Sequence, residues 1–208
     1  MSHTAAMVFV VDDDISMRES LESAISSAGW QTEAFASAED FLSRPRHPAP
    51  SCLVLDMTLP DLDGLDLQKL LADRTDMPII FISGYGDIPK TVQAMKAGAV
   101  EFLAKPFDDH VVLNAIEQAI GRSGEILVLE AEIAALCADH ASLTSREREV
   151  MALVVKGLLN KQVGSRLGIS EITVKAHRGK VMRKMRAKSF ADLVTIAAKL
   201  RDAPTPVE

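Results

Sequence analysis

The stretch of residues 53–61, Leu-Val-Leu-Asp-Met-Thr-Leu-Pro-Asp, constrains the fold of this chain most. Three apolar residues before a carboxylate, with a proline soon after, predict a short buried strand that ends at Asp56. Open α/β sheets bind their ligands outside the carboxyl ends of their strands. We therefore expect an α/β sheet that presents Asp56 at this edge.

Three further apolar runs lead into charged or hydroxyl side chains. They are residues 8–11 before Asp12 and Asp13, residues 78–82 before Ser83, and residues 100–104 before Lys105. A fifth short strand is predicted at residues 31–35, and apolar residues at helical spacing fill the segments between strands. This alternation predicts a doubly wound, five-stranded parallel sheet of the flavodoxin-like type, with these side chains in one crevice.

The charges divide the chain into two parts. Residues 143–203 contain 14 Lys and Arg but 5 Asp and Glu, whereas the rest of the chain contains 9 and 24. An acidic first part and a basic last part predict two modules with different partners, small cations or phosphate chemistry for the first and a polyanion for the second.

The sequence gives no sign of a secreted or membrane protein. Cys52 and Cys137 form no disulfide framework and are expected to behave as small apolar side chains. No stretch approaches the roughly 18–20 apolar residues that a membrane span needs, and no basic and apolar leader opens the chain. We expect a cytoplasmic protein.

The carboxylates of the crevice predict a metal site. Asp12, Asp13 and Asp56 would repel one another unless a cation lies between them, and oxygen ligands without His or Cys favour Mg²⁺ (or Mn²⁺). Beside such a cation Asp56 can act as a nucleophile toward phosphorus. Lys105 would neutralise charge on the transferred group, and Ser83 would donate to one of its oxygens. A calcium loop at residues 61–66 is not expected, because Gly64 is misplaced and the closing Glu is absent.

Four segments together resemble the receiver domain of two-component response regulators. They are Val-Asp-Asp-Asp at 11–14, Leu-Asp-Met-Thr-Leu-Pro-Asp-Leu-Asp-Gly at 55–64, Ile-Ser-Gly at 82–84, and Phe-Leu-Ala-Lys-Pro-Phe at 102–107. The resemblance covers residues 6–121 and implies that Asp56 accepts a phosphoryl group from a sensor histidine kinase.

The resemblance also assigns roles around Asp56. It implies that Asp13, Asp56 and the Met57 carbonyl bind the metal, with Asp12 acting largely through water. Lys105 would contact the phosphate, and the peptide bond to Pro106 is expected to be cis. Ser83 and Phe102 would form the conformational switch, and Thr58 and Tyr85 resemble positions that tune the lifetime of the phosphorylated state.

Residues 122–142 are predicted to form a helical linker. Positions 115, 119, 122, 126, 129, 133 and 136 alternate spacings of three and four, as in a heptad seam. The seam either packs on its own chain or forms an intermolecular coil. Because Gly121 and Gly124 interrupt it, we expect one helix to stop there and a second to run from about Glu125 to Asp139.

The basic part, residues 143–203, is predicted to be an all-α, four-helix helix-turn-helix domain. Thr144 and Glu147 form a capping box at its start, and Asn160 is expected to cap the second helix. The short turn Gly-Ile-Ser at 168–170 leads into a helix from Glu171 to about Met185. Two short helices joined by such a turn are typical of DNA-binding proteins.

This part resembles the LuxR-type DNA-binding domain of regulators of the FixJ and NarL kind. The matching segments are residues 143–150, 157–161, 167–170 and 173–178. By position, the resemblance implies that base edges are contacted by Lys175, Ala176 and Gly179. It places near phosphates Thr173, His177, Arg178 and Lys180. Gly179 departs from the longer polar residue usual there, and costs about 1 kcal/mol of helix stability relative to Ala.

The sequence thus predicts a transcription regulator, an activator, controlled by phosphorylation of Asp56 and not an enzyme beyond slow loss of its own phosphate. The phosphorylated chain is expected to form a homodimer on promoter DNA and to contact RNA polymerase. Two alternatives stay open. One is a phosphohydrolase, although Thr58 stands where that class usually has a second Asp. The other is a degenerate receiver whose DNA binding is constitutive or controlled by a partner.

Overall fold

The computed structural model describes residues 6–84 and 88–202. The chain divides into two compact units, Met1–Val128 and Leu129–Glu208. Each unit has its own hydrophobic core.

A parallel sheet of five strands forms the centre of the first unit, in the order β2-β1-β3-β4-β5. The strands are β1 (Met7–Val11), β2 (Gln31–Phe35), β3 (Ser51–Asp56), β4 (Ile79–Ser83) and β5 (Glu101–Ala104). The helices that follow them are α1 (Ile15–Ser27), α2 (Ala38–Ser43), α3 (Gly64–Leu70), α4 (Ile88–Lys96) and α5 (Asp109–Ala141). This is the doubly wound fold that the sequence predicted.

Strand β3 is buried along its whole length because helices cover both faces of the sheet. Leu53 and Leu55 pack in one core cluster with residues of α2, α3 and α4. Cys52 and Val54 pack on the opposite face with residues of α1 and α5. Side chains on both faces of β3 are therefore apolar, which is why the continuous apolar run of residues 53–55 predicted this strand.

Helix α5 is continuous, so the expected break at residues 121–124 is wrong. Within this stretch Ser123 is fully buried, and its hydroxyl accepts from the N–H of Ser51 at 2.9 Å and donates to the Asp76 carbonyl. These bonds anchor the helix at Ser123 to distant parts of the chain and oppose the helix penalty of about 1 kcal/mol for each glycine.

The predicted heptad seam does not run unbroken along α5. Ala115 and Ala119, its first two positions, are buried in the core of the first unit. Leu129 is exposed, whereas Leu136 packs against the core of the second unit. The first turns of the seam therefore pack on their own chain.

The second unit contains α6 (Ser145–Val154), α7 (Asn160–Leu167), α8 (Glu171–Lys184) and α9 (Phe190–Asp202). Thr144 and Glu147 form the predicted capping box of α6. Val174, Val181 and Met185 lie in the core, as helical spacing required. None of the helices in residues 6–84 and 88–202 is long and apolar enough to span a membrane.

Asn160 is not the N-cap of α7, which corrects the sequence expectation. The helix already includes Asn160, and the N–H of Leu159 donates to Oε1 of Gln162 at 2.8 Å. The capping role thus falls to a glutamine within the first turn, and the Asn160 side chain bonds elsewhere.

Candidate functional site

The sheet places three carboxylates at its carboxyl edge. Strands β1 and β3 pair in parallel with Val11 beside Leu55, so the residues that follow, Asp12 and Asp56, emerge side by side. Asp12 is fully buried and Asp56 is 7% exposed, whereas Asp13 is open to solvent. One oxygen from each of the three lies within 4.8 Å of the others. This compact set of oxygen donors fits a hard divalent cation such as Mg²⁺.

Lys105 reaches the same point from the end of β5. Its backbone N–H donates to the Ser83 carbonyl at 2.7 Å, which fixes the turn after the strand. Its ammonium lies 2.7 Å from Oδ2 of Asp12 and also donates to Oδ2 of Asp56. The peptide bond to Pro106 is cis, the isomer that the sequence resemblance implied.

The other oxygens of the two carboxylates are held by the backbone. The N–H of Thr58 donates to Oδ1 of Asp56 at 2.9 Å, and the N–H of Asp14 donates to Oδ1 of Asp12 at 2.9 Å. Each carboxylate is therefore oriented on one side and paired with the ammonium of Lys105 on the other. Such fixed geometry is what a nucleophile or a metal ligand requires.

Burial and charge act against each other in this cluster. Burial raises the pKa of Asp12 above its usual range, although the hydrogen bond from Lys105 opposes the rise. Burial alone would lower the pKa of Lys105, but its bonds to Asp12 and Asp56 outweigh burial and the net shift is upward. The ammonium is thus held in its charged form beside both carboxylates.

Gly64 has a role at the site that the sequence did not reveal. Its N–H donates to the Met57 carbonyl at 3.0 Å. A Cβ at this position would lie 2.8 Å from the backbone oxygen of Asp56 and 3.1 Å from Cα of Met57. Gly64 therefore lets α3 approach the strand end that carries Asp56. The sequence feature that could have indicated this role is the position of Gly64 directly after the capping residue Asp63.

The acidic residues after β3 make structural contacts. Asp61 accepts from the N–H of Glu39 at 3.1 Å, and Asp63 caps α3 through the N–H of Leu65. Asp66 pairs with Lys69 on the surface of that helix. Each of the three residues thus has a contact of its own.

The predicted switch residues lie on neighbouring strands. Ser83 is buried at the end of β4 and pairs with Ala104 of β5. Phe102 is half-buried on β5 beside Phe81 and packs against the core. Tyr85 lies outside the described residues.

The second candidate site is the outer face of α8, which Ser170 caps. Four of the predicted DNA contacts are exposed along it, namely Lys175, Ala176, Gly179 and Lys180. The other three are half-buried, namely Thr173, His177 and Arg178. This face of α8 is therefore basic through Lys175 and Lys180, and the two other exposed contacts, Ala176 and Gly179, carry little or no side chain.

Arg178 has partners inside the module that the sequence did not reveal. Its Nη1 donates to Oδ1 of Asn160 at 2.6 Å, and its guanidinium lies 5.2 Å from the ring centre of Phe190. These contacts join α7, α8 and α9. Arg178 thus has a structural role within the module.

The turn between α7 and α8 depends on close packing. A Cβ on Gly164 would lie 2.7 Å from the Ile169 carbonyl, so only glycine fits there without a shift. Gly168 has φ +66°, the left-handed conformation that ends α7. The two glycines set the angle at which α8 leaves the turn.

Comparisons with known proteins match both units. Residues 8–117 match the response regulator receiver domain, and residues 141–197 match the bacterial regulatory proteins of the luxR family. Nodulation protein W of Bradyrhizobium diazoefficiens is 50% identical over 198 residues, covering 95% of this chain and 87% of that protein. Transcriptional regulatory protein FixJ of the same organism is 39% identical over 197 residues, covering 94% of this chain and 96% of FixJ. A low-resolution structure of response regulator StyR aligns with a TM-score of 0.82 and 45% identity, covering 94% of this chain and 99% of StyR.

Proposed function

The chain belongs to the two-component response regulators that join a receiver domain to a LuxR-type DNA-binding domain, and we propose that phosphorylation of Asp56 controls its dimerisation and its binding to promoter DNA. We assign residues 6–121 to the receiver, 122–142 to the helical linker and 143–203 to the DNA-binding domain. The observation that carries the proposal is the position of Asp56, which is oriented by Thr58 and bonded to Lys105 beside two more carboxylates.

In this proposal an oxygen of Asp56 attacks the phosphorus of a phosphohistidine on the sensor kinase. The phosphorus–nitrogen bond breaks, its electron pair stays on the imidazole nitrogen, and that nitrogen takes up a proton. Lys105 then balances charge on the phosphoryl oxygens. Asp12, Asp13, Asp56 and the Met57 carbonyl would hold Mg²⁺, which supplies further positive charge to the same oxygens when bound.

Ser83 and Phe102 would couple phosphorylation of Asp56 to a conformational change at the surface of the receiver. The Ser83 hydroxyl is expected to turn toward the phosphoryl group, because it lies at the carboxyl edge of the strand next to β3. Space beside it then admits the ring of Phe102, which already packs against the core. The surface of α4, β5 and α5 would change with it.

The same surface is where we place the homodimer contact. Ile88, Val92 and Met95 occupy positions i, i+4 and i+7 of α4 and are exposed, Ile88 by 74%. An apolar stripe of this kind is costly to leave in water, and a two-fold contact covers the stripe of both copies at once.

In the second module, Lys175, Ala176 and Gly179 would contact base edges in the major groove. Thr173, His177, Arg178 and Lys180 would lie near phosphates. Dimerisation lets two such modules bind one two-fold-related site, from which an activator contacts RNA polymerase.

The proposal is tested by the mass of the intact protein after incubation with Mg²⁺ and acetyl phosphate. Wild type is expected to gain one phosphoryl group and Asp56→Asn none. Asp61→Asn is the matched control, because Asp61 lies close in sequence but its side chain accepts from the N–H of Glu39 in the first turn of α2, and the variant should behave as wild type. A wild-type chain that gains nothing from acetyl phosphate or from a phosphorylated kinase would favour a degenerate receiver instead.

A further inference from the structure

Ile172 is the most exposed large apolar side chain in the part of the chain that the structure describes, at 80%. It lies in the first turn of α8, which begins at Glu171. It is absent from the core cluster to which Val174, two residues on, belongs. Packing within the module therefore gives no reason for an isoleucine at this position.

Helical spacing places Ile172 on the face proposed to read bases. Residues 172, 175, 176 and 179 stand at i, i+3, i+4 and i+7, and all four are exposed. In helix-turn-helix proteins the N-terminal residues of the second helix contact base edges. Ile172 is the N-terminal member of this stripe.

The neighbours of Ile172 on the stripe leave room for close approach. Ala176 is small, and a Cβ added to Gly179 would meet nothing within 4 Å. The glycine is thus not required by any contact within the described residues, although it costs helix stability. The small residues at 176 and 179 would let α8 lie close to the DNA bases, so that the branched side chain of Ile172 could contact them.

We propose that Ile172 is a specificity-determining residue that contacts the C5 methyl group of a thymine in the major groove. Among the four bases, thymine alone presents a methyl group there against which an isoleucine side chain can pack. The inference rests on the proposed DNA binding and adds a base preference to it. Each half-site is expected to require thymine at one position.

The test removes the methyl group from the DNA and the side chain from the protein. The full-length chain, with Mg²⁺ and beryllium fluoride, first selects its site from random duplexes. Single thymines of that site are then replaced by uracil, which differs only in lacking the methyl group. Wild type is expected to bind about three- to fivefold more weakly at one position per half-site, as for the loss of one buried methyl group.

The variant Ile172→Ala is expected to bind the thymine and uracil duplexes equally at that position. Leu159→Ala removes another exposed apolar side chain of the same module and should keep the wild-type preference. Ile172→Val, which retains branched methyl groups, should keep most of it.

Two results would overturn the inference. A wild type that selects a site but tolerates uracil at every thymine, or an Ile172→Ala variant that keeps the full preference, overturns it alone. A wild type that selects no duplex overturns the proposed DNA binding and this inference with it.

Discussion

The ammonium of Lys105 lies 2.7 Å from Oδ2 of Asp12 and also bonds to Asp56. One cation from the end of β5 thus bridges carboxylates from the ends of β1 and β3 and offsets part of their negative charge. A divalent ion would compete with this ammonium for the same carboxylates. Removing the ammonium should therefore change the affinity for the ion, which can be measured.

Replacing Lys105 by Met is expected to tighten Mg²⁺ binding by about tenfold, because the carboxylates lose their internal cation. Phosphoryl transfer to Asp56 should slow in the same variant, since charge on the phosphoryl oxygens is less well balanced. Titration calorimetry measures the first effect. Lys69→Met, which removes a surface partner of Asp66, is the control and should bind Mg²⁺ as wild type does. Unchanged affinity in Lys105→Met would contradict this account of the site.

The substitution Gly64→Ala is expected to destabilise the first unit by roughly 1–3 kcal/mol, because the new Cβ would press on the backbone of Asp56 and Met57. Urea unfolding followed by the fluorescence of Trp30, the single and buried tryptophan, measures the change. Gly121→Ala, within α5 and with nothing within 4 Å, should instead be neutral or stabilise by up to about 1 kcal/mol. Equal effects of the two substitutions would refute the role given to Gly64.

The second unit is expected to lose stability in acid through Glu147. The hydrogen bond from Lys184 lowers the pKa of Glu147 from 4.5 to about 2. A carboxyl whose pKa is lowered by folding contributes stability above its unfolded value, and the contribution is lost as the pH falls from 4.5 toward 2.

Amide hydrogen exchange of α6 and α8 in the full chain measures this contribution. Near pH 6, protection in wild type should exceed that in Glu147→Gln by about tenfold or more. At about pH 3, the difference in free energy of opening between the two proteins should be less than half of its value near pH 6. Glu149→Gln, on the exposed side of α6, is the control and should track wild type. A gap between wild type and Glu147→Gln that does not change with pH would rule out this source of acid sensitivity.

Arg178 and Lys180 are both basic residues of α8, but only Arg178 is expected to stabilise the fold of the second unit. Arg178→Ala breaks the bond to Asn160 and the contact with Phe190, and should cost the second unit about 1–2 kcal/mol. Lys180 makes no hydrogen bond or ion pair with residues 6–84 or 88–202, so Lys180→Ala should leave stability unchanged.

The two variants are compared by hydrogen exchange of α7 and α8 and by DNA binding across salt concentrations. Lys180→Ala should reduce the salt slope by about one, the value for one phosphate contact. If Arg178→Ala left the exchange of α7 and α8 as it is in wild type, the bracing role of Arg178 would be wrong.

The sheet and its acidic edge were predictable because the apolar runs in the sequence coincide with the buried strands, and the polar residues that follow these runs coincide with the strand ends. Residues 52–55 are apolar on both faces of a buried strand, and Asp56 follows directly. The helix through residues 121–124 was not predictable, because Ser123 is held by Ser51 and Asp76, which are distant in sequence. The pairing of Asn160 with Arg178 was missed for the same reason, since Asn160 was expected to cap a helix and Arg178 to contact a phosphate, and neither expectation involves the other residue.

The most direct test of the central claim is sedimentation velocity of the full chain with Mg²⁺, with and without beryllium fluoride, which mimics a phosphoryl group on a carboxylate. Wild type is predicted to change from monomer to dimer on addition of beryllium fluoride, and Asp56→Asn is predicted to remain monomeric under both conditions. Wild type that sediments identically in both conditions, or an Asp56→Asn variant that dimerises as wild type does, would contradict control of dimerisation by phosphorylation of Asp56.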